Sequence, residues 1–127
     1  MISPSLLLGI ARGLFWVAIT ITLAGAFAPP STVEQLVPWD KAGHFLAFYA
    51  LTGLAVMGFP GRHVVLIAIS LCAFGGLIEI LQSMPFVHRD AEWGDWFADT
   101  AAIAAVLGPM MLVRWRDDWR RATMLLP

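Results

Sequence analysis

Residues 79–99 read EILQSMPFVHRDAEWGDWFAD, from Glu79 to Asp99, and this stretch decides how the chain folds. It leaves one long apolar run at Glu79 and Gln82 and crosses a polar segment holding Arg89, Asp90 and Glu92. It then enters a second apolar run that already contains Asp95 and Asp99. Carboxylates inside apolar sequence are costly where lipid is the solvent, about 2.5–3.5 kcal/mol each near mid-membrane on insertion scales. The composition makes lipid the expected solvent. Of 127 residues, 59% are hydrophobic and 13% charged, against about 25% charged in an ordinary globular domain.

Outward from this stretch the chain divides into four apolar runs, which predict an all-α integral membrane bundle of four transmembrane helices in a single domain. The first covers 6–28 and stops at Pro29-Pro30, with Arg12 near one end where its stem can reach the interface. Ala26-Phe27-Ala28 has the small-x-small form of a signal-peptide cleavage site. The late charge at Arg12 and the length of the run favour a retained helix instead. The second run, 42–59, follows Asp40-Lys41 and ends at Phe59-Pro60-Gly61. Asp40 is placed either to cap it or to serve the site.

The third run is 64–83, stopped by Pro85, and the fourth is 93–113. Ala98, Ala101, Ala102 and Ala105 are spaced to admit a neighbouring helix, within the chain or in an oligomer. Pro109 is expected to kink or end the last turn. A basic aromatic tail, 114–127, then suits an interface, as do Trp39, Trp93 and Trp96. Cys72 lies alone in the third run and is read as packing.

Arg12, Arg62, Arg114, Arg116, Arg120 and Arg121 fall on one side of a four-span topology, and only Lys41 and Arg89 on the other. By the positive-inside rule both termini are expected in the cytoplasm, with the first and third loops facing outward. A net charge of -1 and the lack of a basic stripe argue against a nucleic-acid partner.

The same topology gathers Asp40, Lys41, His44, Glu79, Gln82, Arg89, Asp95 and Asp99 at the outer end. Asp40 and His44, and Asp95 and Asp99, are spaced four apart, and Glu79 and Gln82 three, so each pair shares a helix face. His44, Glu79 and Asp95 are candidate proton-transfer groups. Asp40, Lys41, Gln82, Arg89 and Asp99 are candidate ligand-binding groups, with Lys41 and Arg89 suited to an anion such as a lipid phosphate. Asp40, His44, Glu79, Asp95 and Asp99 also form an oxygen and imidazole set suited to a divalent metal. The alternatives are an interhelical ion-pair lock in a non-catalytic scaffold or accessory subunit, with Lys41 or Arg89 answering Glu79 or Asp99, and a proton-coupled carrier. Tyr49 falls about 140° around its helix from His44 and is left out of the pocket.

Asp40-Lys41-x-x-His44, Glu79-x-x-Gln82 and Arg89 followed by Asp95 and Asp99 closely resemble the VanZ-like family of small bacterial membrane proteins, over about Pro38 to Leu107. The chain departs from the family pattern at Asp99, where the family usually has Asn, and at Ala102, where it usually has Gly. The resemblance implies a multi-helix protein of the bacterial cytoplasmic (inner) membrane, part of the cell envelope, and a family link to glycopeptide resistance, teicoplanin in particular. Its partners would be the lipid bilayer and a lipid-linked envelope precursor or glycopeptide-related ligand.

Overall fold

A computed structural model describes residues 3–29, 39–85, 87 and 91–124. Its regular structure is four helices: α1 (Pro4–Phe27), α2 (Asp40–Gly58), α3 (Val64–Gln82) and α4 (Trp93–Met124), with no strand among the described residues. Local chemistry sets their ends. Ser3 caps α1, its hydroxyl accepting from the Leu6 N–H at 3.3 Å, and Pro4 opens the helix where its missing N–H is harmless. Trp39, which makes no side-chain cap, occupies the cap position of α2. Asp40 therefore does not cap the helix; it lies in the first turn, where a carboxylate meets the positive end of the helix dipole.

Hydroxyls inside the apolar helices bond back to their own backbone. Thr20, Thr52 and Thr100 donate to the carbonyls of Trp16, Phe48 and Trp96 at 3.0, 2.6 and 2.9 Å.

α2 is the central element, packed on α4 along one side and on α1 along the other, while α3 packs chiefly on α4. Consecutive helices run antiparallel, so the end of α1, the start of α2, the end of α3 and the start of α4 meet at one pole. Gly58, at the opposite pole, lets α1 come close: a Cβ there would stand 3.3 Å from the Arg12 backbone nitrogen and 3.5 Å from the Ala11 carbonyl carbon. Arg12 then donates from Nε to the Gly58 carbonyl at 2.8 Å and lies over the Phe59 ring. The cation thus serves one of the orphan carbonyls at the end of α2.

α4 differs from its expected extent. It runs without interruption through Pro109 to Met124, so the basic aromatic segment after 113 is helical up to that residue. Trp115 and Trp119, one turn apart, stack along it with ring centroids 6.3 Å apart. Of the four small residues singled out on α4, Ala102 is fully buried, whereas Ala101 and Ala105 face outward.

The exterior is far more apolar than that of a water-soluble domain, and several polar side chains are enclosed. Leu6, Leu14, Ile21, Leu46, Ile69 and Phe97 are among many large apolar side chains on the outside, while Thr52, Glu79, Gln82, Asp95 and Asp99 are buried. Among the described residues, three helices are long and apolar enough to cross a bilayer: Pro4–Phe27, Val64–Gln82 and the Trp93–Arg121 part of α4. α2 is less apolar because Asp40, Lys41 and His44 all fall in its first five residues. The core itself is apolar, built on Phe48, Leu51, Ile78, Ile103 and Leu107, and an apolar exterior around such a core with a few enclosed polar groups is what a lipid solvent selects.

Candidate functional site

The polar pole is built on His44, one turn into α2 and directed toward α4. Its Nδ1 lies 3.1 Å from Asp99 Oδ1, and its Nε2 lies 3.9 Å from Asp95 Oδ2. An ionised carboxylate can only accept, so with Asp99 ionised the hydrogen sits on Nδ1, and in the neutral imidazole Nε2 is then left as a lone-pair donor. Asp99, fully buried, is thus the group that fixes the ring. Its seat depends on Gly75 of α3, where a Cβ would lie 2.6 Å from Asp99 Oδ2 and 3.3 Å from the Phe48 ring.

Lys41 serves the rim. Its Nζ lies 2.6 Å from Glu92 Oε2 and 3.4 Å from Asp95 Oδ1, so it pairs with the start of α4 and not with Glu79 or Asp99. The hydrogen bond from Lys41 holds the exposed Glu92 carboxyl below its ordinary range. The lysine stem lies against Gly94, where a Cβ would approach its Cε to 2.9 Å.

Glu79, at the end of α3, is 2% exposed, and neither carboxyl oxygen has a hydrogen-bond partner among the described residues. It lies near enough to Asp95, His44 and Asp99 to feel their charges. The Glu92 backbone N–H is also nearby. Asp95 Oδ1 and Asp99 Oδ2 are likewise buried without a hydrogen-bond partner. Asp40, His44 and Asp95 each present one ligand atom, all within 4.8 Å of one another.

Six of the eight residues singled out in the sequence therefore meet at this pole: Asp40, Lys41, His44, Glu79, Asp95 and Asp99. Gln82 points elsewhere, donating from Nε2 to the Ala26 carbonyl at 2.9 Å and tying the end of α3 to that of α1. Arg89 lies outside the described residues. Glu92 and Gly75 join the site without having been assigned to it. The signal for Gly75 was its place in the Gly75-Gly76 pair, one turn before Glu79 on the same helix face. Trp96, read as an interface anchor, is half-buried and donates its indole N–H to the Cys72 carbonyl at 3.0 Å, whereas Trp39 and Trp93 are exposed.

A pocket of about 210 Å³ leads to the cluster between α1, α2 and α3. Asp40 and His44 stand at its polar side, and Ile21, Ala47, Phe48 and Ile78 contribute apolar walls. Its form is that of a slot for an apolar chain ending at a polar group. Comparison with protein-family models, curated proteins and solved structures finds no match for this chain.

Proposed function

We propose that the chain is a VanZ-like membrane protein of the bacterial cell envelope that binds a lipid-linked or otherwise anionic envelope molecule at its polar pole. It would cross the inner membrane four times, with both termini in the cytoplasm and the pole outward. The observation that carries this reading is the junction of the apolar pocket with Asp40 and His44, which suits an amphiphile whose tail lies between α1 and α2. Lys41 and Arg89 are its cationic residues for an anionic head group, and His44, Glu79 and Asp95 the groups that would carry protons in a hydrolysis or transfer. The ordered residues Asp40-Lys41-x-x-His44, Glu79, Arg89, Asp95 and Asp99 support the family assignment, and through it a link to teicoplanin resistance.

The test is lipid analysis of detergent-purified protein by native mass spectrometry. Wild type is expected to retain an anionic lipid that His44→Ala and Gly25→Phe both lose. Gly25 lines the pocket and has open space at its Cβ, so a large side chain there can be accommodated and takes up pocket volume while the polar side chains themselves are kept. Equal lipid content in all three proteins would refute the reading.

A scaffold is favoured by a different observation, the Gln82 bond to Ala26 together with the Lys41–Glu92 bridge, which staple helix ends. Under it, Lys41→Met lowers Tm while the lipid content stays unchanged.

A further inference from the structure

We infer that Asp40, His44 and Asp95 form a binding site for a divalent transition-metal ion, with Asp99 as the residue that positions His44. The inference goes beyond the lipid reading and stands on the geometry of the pole alone. Three ligand atoms from two helices, one imidazole nitrogen and two carboxylate oxygens, lie within 4.8 Å of one another. Metal–ligand bonds of about 2.0–2.2 Å at tetrahedral angles set ligand atoms about 3.3–3.6 Å apart. The 3.9 Å between His44 Nε2 and Asp95 Oδ2 exceeds that by a few tenths of an ångström, and closing the set from 4.8 Å takes movements of under about 1 Å by each of two side chains.

Two further features point to a cation rather than to a chance cluster. Glu79, 2% exposed, holds two carboxyl oxygens without a hydrogen-bond partner among the described residues, beside Asp95 and His44. A buried carboxylate in that condition is costly unless it takes up a proton or a positive charge answers it, and an ion beside it would supply that charge. Lys41, the lysine at this pole, already bridges Glu92 and Asp95.

The second feature is the ring of His44. Asp99 accepts at Nδ1 and leaves Nε2 turned toward Asp95, the carboxylate–histidine arrangement that fixes the tautomer of a metal-ligating imidazole. One imidazole with carboxylates selects Zn²⁺ or Mn²⁺ over Ca²⁺ and Mg²⁺, which favour all-oxygen sites, and no thiol is at hand to draw softer ions. Glu79 would accept a hydrogen bond from a water on the ion.

The test is Zn²⁺ binding to the full chain in detergent, after chelation and dialysis, followed by metal analysis and calorimetric titration. Wild type is expected to bind one Zn²⁺ per chain, in preference to Mg²⁺. His44→Ala and Asp95→Asn are expected to lose stoichiometric binding. Asp40→Asn, at an exposed position where misfolding is not expected, should weaken it at least tenfold. Asp99→Asn should weaken it 10–100-fold without abolishing it, as loss of an outer partner does. Cobalt substitution gives a readout independent of affinity: visible d–d bands in wild type that are absent from His44→Ala. Absence of stoichiometric Zn²⁺ in folded wild type, equal binding by Asp40→Asn and wild type, or Mg²⁺ bound as tightly as Zn²⁺ would each overturn the inference.

Discussion

At the residue scale, the polar pole holds more negative charge than a structural lock needs. The Lys41 bridge to Glu92 and Asp95 would hold α2 to α4 without help from Glu79, whose carboxyl oxygens are buried and unbonded among the described residues. Replacing it with an apolar side chain of similar volume should therefore stabilise the protein. Glu79→Met is expected to raise stability in detergent by about 1–3 kcal/mol, read by thermal or denaturant unfolding, while abolishing ligand retention. A fall in stability would mean that Glu79 is a structural partner. Gly75→Ala should act in the opposite sense. Its Cβ would meet Asp99 Oδ2 at 2.6 Å and the Phe48 ring at 3.3 Å, both in a fully buried setting. We expect a loss of about 1–3 kcal/mol, with the His44–Asp99 bond displaced.

The rim can be read by pH. The Lys41 hydrogen bond lowers the Glu92 carboxyl below its ordinary value of 4.5. The sign follows from that direction: the bridge contributes in full above the ordinary value and is lost as pH falls through the lowered one. In an NMR titration, Lys41→Met is expected to raise the Glu92 midpoint toward 4.5. An unchanged midpoint would remove Lys41 as the cause.

At the scale of elements, the helix ends show what sequence makes legible and what it hides. The existence of four helices could be read from apolar runs bounded by Pro29-Pro30, Pro60-Gly61 and Pro85. The convergence of Asp40, His44, Glu79, Asp95 and Asp99 followed from three- and four-residue spacing on antiparallel helices. What could not be read is interhelical register. That Gln82 meets Ala26, that Lys41 meets Glu92, and that Arg12 meets Gly58 depends on how far one helix slides along another, which spacing within a helix does not encode. The course of α4 through Pro109 was hidden for another reason. Proline removes one backbone donor but its φ is helical, so packing of the residues before it can carry the helix on.

Arg12 tests how much one such contact between elements is worth. Its bond to the Gly58 carbonyl is partly buried and charge-assisted, in the range of about 1.5–3 kcal/mol. Arg12→Met keeps the stem packed against Gly58 but removes the donor. A loss of about 1–2 kcal/mol in detergent is expected, and no loss would show that the carbonyl is satisfied by water.

At the scale of the whole molecule, the apolar exterior is compatible with a lipid solvent around the helices, and the charges at their ends give an expectation of orientation that labelling can test. Arg12, Arg62 and the arginines of α4 beyond 113 cluster toward one pole, and Lys41 lies at the other with the carboxylates. Because only the basic residues near the spans set orientation, the acidic pole is expected outside and the arginine-rich pole inside. Cysteine labelling in a Cys72→Ser background separates the two orientations. Ala91→Cys stands beside Glu92 at the carboxylate pole, and Gly61→Cys lies in the turn after α2, where a Cβ meets nothing within 4 Å. A membrane-impermeant maleimide is expected to label Ala91→Cys in intact cells, and Gly61→Cys only after disruption. The reverse pattern would place His44 and its carboxylates on the cytoplasmic side, where an outer-leaflet ligand cannot reach them, and would reject the envelope-facing role while leaving the metal site to be decided by its own titration.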